Sequence, residues 1–175
     1  TLQSMIAAVE SEYANTDDLN RQLSTAFNRL KQSLPAIEVP KVYTQISALD
    51  QSIVVGNGTI GISLDKYLGP GYPLYAKYYS PSQRKQMSRE YILPDCLTFY
   101  LMSIYPLQRF ESRPQLERDL HIGKIQWIVN QIMSKRVYHS RYEEAVEDFM
   151  KWHPKTSYEE LLHMTDFSRF RVQEN

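Results

Sequence analysis

The sequence predicts an α+β fold, mainly helical, with a small antiparallel sheet of about three strands. Three observations carry this. Apolar residues recur at three- and four-residue spacing over most of the chain. One stretch, Val39 to Ser63, is instead rich in β-branched residues and turns around Gly56-Asn57-Gly58. Serines at 80, 140 and 157 each precede a Gln or Glu three residues on, the signature of a helix start.

The first third reads as two helices. Leu2, Met5, Ile6, Val9 and Tyr13 share one helical face, and Asn15 and Thr16 break the pattern. Asp17 and Asp18 then set negative charge at the positive end of a second helix. Its stripe is Leu19, Leu23, Ala26, Phe27, Leu30 and Leu34, and Pro35 closes it. From Val39 to Ser47 the period changes, with Val42, Thr44 and Ile46 alternating with Tyr43 and Gln45. Ser52–Val55 and Thr59–Ser63 flank the Gly-Asn-Gly turn, where Asn and Gly accept the positive φ of a tight hairpin.

From Leu64 to Tyr79 the chain reads LDKYLGPGYPLYAKYY, broken by Gly69, Pro70, Gly71 and Pro73. The reading is a short helical turn followed by an aromatic-anchored loop, serving either function or as a lid over one face of the sheet. Ser-Pro-Ser-Gln at 80–83 opens the next helix. A longer one runs from about Arg89 to Tyr105, with Ile92, Cys96, Tyr100 and Ile104 on one stripe and Leu93, Leu97 and Leu101 widening it. Apolar over most of its circumference, it belongs at the centre of the domain, with Pro94 in its first turn. Pro114 opens a helix carrying Leu116, Leu120, Ile125, Ile128, Val129 and Ile132. A capping box of Ser140 and Glu143 leads a further helix ended by His153-Pro154, and Ser157 with Glu160 caps a last short one through Met164. No linker or repeat divides the chain, so residues 1–175 read as a single globular domain, with the tail 167–175 as a disordered end.

Composition narrows the function. Lys plus Arg equals Asp plus Glu at 20 each, so no global basic face exists and no nucleic-acid partner is expected. The lone Cys96 makes neither an internal disulfide nor a thiolate zinc site, and no apolar run approaches the roughly 20 residues of a membrane span. Nine of the 13 tyrosines lie between Tyr43 and Tyr105. Tyrosine fills core edges and also serves binding surfaces, and both readings stay open.

No catalytic or metal site emerges, and no cofactor is expected. A hydrolytic zinc helix needs two histidines one turn apart. His121, His139, His153 and His163 are never three or four residues apart, and they read as surface or cap residues. Cys96 sits beside Asp95 on an apolar helix, and both neighbours raise a thiol pKa. The GNGTIG stretch at 56–61 lies between strands and lacks the Lys-Ser/Thr pair of a phosphate loop. The adjacent carboxylates Glu143-Glu144 and Glu159-Glu160 fall in first helical turns, where they complement the dipole. The most distinctive strings are GISLDKYLGPGYPLY at 61–75 and REYILPDC at 89–96. They supply the candidate binding residues Asp65, Tyr67, Tyr72, Tyr75, Glu90 and Asp95.

The succession VYTQIS, IGISLDKYLG, YPLY, REYILPDC and HIGKIQWIVNQIM resembles the gliding-motility lipoprotein GldB family, from about Leu19 to His163. The resemblance implies a lipoprotein of the cell envelope, facing the periplasm. Its membrane attachment would be only through a lipidated N-terminal cysteine outside this chain. It further implies a degenerate zincin-like architecture, with the helix holding Pro94, Asp95 and Cys96 in place of an HExxH helix that is absent here. The expected function is therefore a non-catalytic domain that binds other envelope proteins of motility or secretion machinery. The alternatives are a cryptic zinc-dependent hydrolase, or a carbohydrate- or peptide-binding module built around Tyr67, Tyr72 and Tyr75.

Overall fold

The computed structural model describes residues Thr1–Glu174. The elements follow in chain order: α1 (Leu2–Glu12), α2 (Asp17–Ser33), β1 (Lys41–Gln45), β2 (Ile53–Gly56), β3 (Thr59–Ser63), α3 (Tyr75–Tyr78), α4 (Pro81–Lys85), α5 (Ile92–Ile104), α6 (Gln115–Met133), α7 (Arg141–Trp152) and α8 (Tyr158–His163). Two compact units divide them. One comprises residues 1–27 and 38–99, the other residues 28–37 and 100–174, so α2 and α5 each lend residues to both. The mainly helical α+β class is as the sequence predicts, and the α2 stripe from Leu19 through Leu34 is buried throughout.

The first unit holds the sheet, whose strand order is β1-β3-β2. β2 and β3 form the expected antiparallel hairpin, with Gly58 at φ 71° in its turn. β1 pairs parallel to β3, from Lys41↔Thr59 to Gln45↔Ser63. The sheet is thus mixed, and the all-antiparallel expectation is corrected. Alternation identifies a strand but says nothing of its partner's direction. β3 is the most deeply buried strand, with Ile60 and Ile62 fully covered. Placing it centrally leaves the more exposed β1 and β2 at the edges, but residues 46–52 must then cross the end of β3. Two non-glycine residues in that crossover, Ala48 (φ 55°) and Leu49 (φ 66°), take the left-handed conformation, at a cost of about 1 kcal/mol each.

α1 begins on a Thr1–Ser4 capping box and packs against a 3₁₀ turn at Leu64–Lys66, directly after β3. A second 3₁₀ turn at Arg89–Tyr91 occupies the expected first turn of α5, which starts at Ile92 with Pro94 tolerated in its opening turn. On α5, Ile92, Cys96, Leu97 and Leu101 are fully buried, whereas Ile104 is 39% exposed and leaves the stripe assigned to it.

The second unit is helical. α6 packs against α7 and α8. Its approach to α7 is close enough that a Cβ on Gly123 would stand 2.9 Å from the Tyr142 carbonyl carbon. Ser140 caps α7 through the Glu143 amide, but the Glu143 side chain does not close the expected capping box. It is buried and accepts from Arg136 at 3.2 Å instead. The segment expected to be a disordered tail forms a 3₁₀ turn at Phe167–Arg169 and buries Phe167 and Phe170, while Asn175 lies outside the described residues.

Candidate functional site

The candidate residues from the two distinctive strings converge in the first unit, around the turn that leaves β3. Asp65 is fully buried. Its Oδ1 accepts the Ser47 amide at 2.8 Å, and its Oδ2 accepts the Leu49 amide at 2.6 Å. The carboxylate therefore caps the crossover loop and satisfies two amides that the left-handed backbone would strand away from a ladder partner. The element that it holds lies 16 to 18 residues earlier in the chain.

Tyr67 is 1% exposed. Its hydroxyl donates to Asp95 Oδ2 on α5 at 2.6 Å, while its carbonyl accepts the Tyr13 hydroxyl of α1 at 2.5 Å. Tyr75, fully buried, donates to the Asp65 carbonyl and accepts the Leu68 amide at 3.1 Å. Tyr72 is half-buried and meets Tyr75 edge to face at 5.0 Å between centroids, and Glu90 is exposed. Lys66 completes the arrangement, donating to the Tyr79 hydroxyl at 2.9 Å.

This geometry sets Asp65, Tyr67 and Tyr75 inside the first unit. All three are covered, with polar atoms committed to the protein's own backbone or to Asp95. Tyr72 and Glu90 keep exposed surface and stand apart from the hydrogen-bonded core. The electrostatics agree. Burial, followed by the Asp95 carboxylate, pushes the Tyr67 phenol far above its usual range. Burial likewise raises Tyr13 and Tyr75, and burial with Asp95 raises the Cys96 thiol. Groups held protonated in this way supply neither a nucleophile nor a base at neutral pH. The arrangement is a brace that joins α1, the sheet, the loop and α5.

The histidines all lie in the second unit. His139 and His163 are exposed and pair with Glu144 at 2.7 Å and Glu159 at 2.9 Å, and His153 caps α7. His121 departs from the surface reading. It is 5% exposed, its Nε2 meets the Tyr105 carbonyl at 2.7 Å, and burial lowers its pKa. Among the described residues no three His, Cys, Asp or Glu side chains gather in a metal-holding group, and no helix is long and apolar enough to cross a membrane.

The exposed features escaped the sequence reading. β1 is an edge strand flanked by Val39 (49% exposed) and Ile46 (37%), with Tyr43 (46%) lying over Gly61 of β3. Trp152 is 84% exposed at the end of α7. Both stretches alternate or repeat like buried elements, so periodicity alone gave no signal.

No curated protein and no solved structure matches the chain. A family model described as gliding motility protein GldB matches residues 1–140, which include the sheet, the brace and α5. The class is one of gliding-motility lipoproteins, located in the cell envelope. On that match, covering most of its length, the chain belongs to the gliding motility protein GldB family.

Proposed function

We propose that the chain is a non-catalytic, periplasm-facing domain that holds another envelope protein of the motility or secretion machinery, by pairing with an extended segment of that partner along β1. The supporting observation is the edge itself. The Lys41 amide donates to the Gly58 carbonyl at 2.9 Å, which fixes the parallel ladder so that Lys41, Tyr43 and Gln45 bond β3. The backbone groups of Val42 and Thr44 therefore point away from the sheet. Among the described residues nothing pairs with this row of amides and carbonyls, and beside exposed Val39, Tyr43 and Ile46 it is a template for strand addition. The covered state of Asp65, Tyr67 and Tyr75 supports placing the contact at this edge rather than at the brace.

The ladder supplies a clean test. Thr44→Pro deletes an outward N–H and leaves the bonds to β3 intact, a change that edge strands tolerate. A photo-crosslinking residue at position 43 is expected to capture a discrete envelope protein in cells, and Thr44→Pro is expected to abolish that adduct while the protein stays folded by circular dichroism. An adduct that survives Thr44→Pro unchanged, or no adduct at all, would overturn the reading.

A further inference from the structure

We infer that the cleft beside Trp152 is a binding platform for a neutral pyranose sugar of an envelope glycan, a site distinct from the β1 edge and outside the residues 1–140 of the family match. The cleft measures about 390 Å³ and is lined by Trp152, His153, Pro154, Lys155, Thr156 and Glu160. Its floor is a fixed turn. The His153 amide bonds the Phe149 carbonyl at 2.9 Å, the Thr156 amide bonds the His153 carbonyl at 3.1 Å, and the His153 ring stacks on Phe149 at 4.5 Å. Ser157 and Glu160 then close a capping box that starts α8.

Single exposed apolar residues are ordinary on protein surfaces. Trp152 differs in what surrounds it. Among the described residues, no protein group bonds its indole N–H, the Lys155 ammonium or the Thr156 hydroxyl. Glu160 spends Oε1 on the Ser157 amide and keeps Oε2 for another donor. A flat aromatic face ringed by free donors and one free acceptor is complementary to a pyranose. The C–H face of the sugar lies on the indole, and its equatorial hydroxyls reach the rim. The charges favour a neutral ligand, since the one ammonium of the lining, Lys155, is offset by its one carboxylate, Glu160. The Glu160 carboxylate also disfavours an anionic lipid surface. A protein hot spot would carry further apolar residues at its centre, and the cleft offers only Pro154 beside the indole.

The test titrates the full chain with soluble cello- and chito-oligosaccharides, followed by isothermal calorimetry and by tryptophan emission. The chain has only two tryptophans, and Trp127 is buried against Glu147 and Tyr158, so the emission change reports Trp152. The expected result is saturable binding with a dissociation constant on the order of 1 mM, typical of a single stacking platform. Trp152→Ala, folded because the side chain supports little packing, is expected to weaken binding by at least about tenfold, while Trp152→Tyr retains most of it. The inference is overturned by no saturable signal at about 20 mM sugar. Binding indifferent to Trp152→Ala, or Trp152-dependent binding to anionic vesicles in place of sugar, overturns it equally. The β1 crosslink is read separately, so either result stands without the other.

Discussion

The two units bury polar side chains for different purposes. In the first, Asp65 sits fully covered at the foot of β3 and gives both carboxylate oxygens to backbone amides of the crossover loop. In the second, Lys124 is also fully covered, yet among the described residues no carboxylate pairs with it. It donates to the Met164 carbonyl at 2.6 Å and lies 4.5 Å from the Phe167 ring centroid and 5.8 Å from that of Phe170. The Arg113 guanidinium also lies over the Phe167 ring, 5.6 Å from its centroid. An anion on amides fixes irregular backbone within a sheet, and a cation on aromatic faces pins a chain end. The first is strong because each bond is charge-assisted; the second leaves the cation poorly solvated.

That contrast can be broken most forcefully at Asp65. Asp65→Ala strips two covered amides of their acceptors while Ala48 and Leu49 still hold left-handed backbone. A loss of about 3–5 kcal/mol is expected in urea unfolding. A loss below about 1 kcal/mol would show that the loop keeps its path without the carboxylate.

Lys124 sharpens the comparison through pH. Burial, with a smaller contribution from Arg113, lowers its pKa from 10.5 to about 8. Between those values the folded chain binds fewer protons than the unfolded chain, so the stability tied to Lys124 is lowest below pH 8 and rises toward pH 10.5. Lys124→Met should therefore be more stable than the parent by up to about 3 kcal/mol at neutral pH, and the gap should close as pH rises through this window. Buried Tyr67, Tyr75 and Cys96 titrate identically in both proteins and cancel from the difference. A gap independent of pH would refute the assignment.

The smallest effect tests how tightly the helical unit is packed. Gly123→Ala sets a methyl group 2.9 Å from the Tyr142 carbonyl carbon, so backbone must move. The expected cost is about 1–3 kcal/mol, visible as a lowered melting temperature. An unchanged melting temperature would mean that α6 and α7 separate freely.

Much of the architecture is legible in local signals. The α2 stripe, the Gly-Asn-Gly hairpin, the Ser80 and Ser157 caps and the early proline of α5 are all written within a few residues of where they act. Site reading was weaker. The two strings did bring Asp65, Tyr67, Tyr75 and Asp95 into one arrangement, but as a covered brace. A tyrosine on a core edge and one on a recognition surface have the same local sequence, and only the packing around the ring separates them. Similarly, nothing near Lys124 marks it as buried, because its cover comes from Phe167 and Phe170, more than forty residues on.

The sequence by itself determined the helix-rich class, the hairpin, the caps and the GldB family, because each is encoded in short-range periodicity or in a contiguous string. The tertiary structure alone decided that β1 runs parallel to β3, that Asp65 holds a loop, and that Tyr43 and Trp152 face outward. These depend on which distant segment fills the space beside a residue. Strand direction and side-chain burial are properties of that neighbour as much as of the residue.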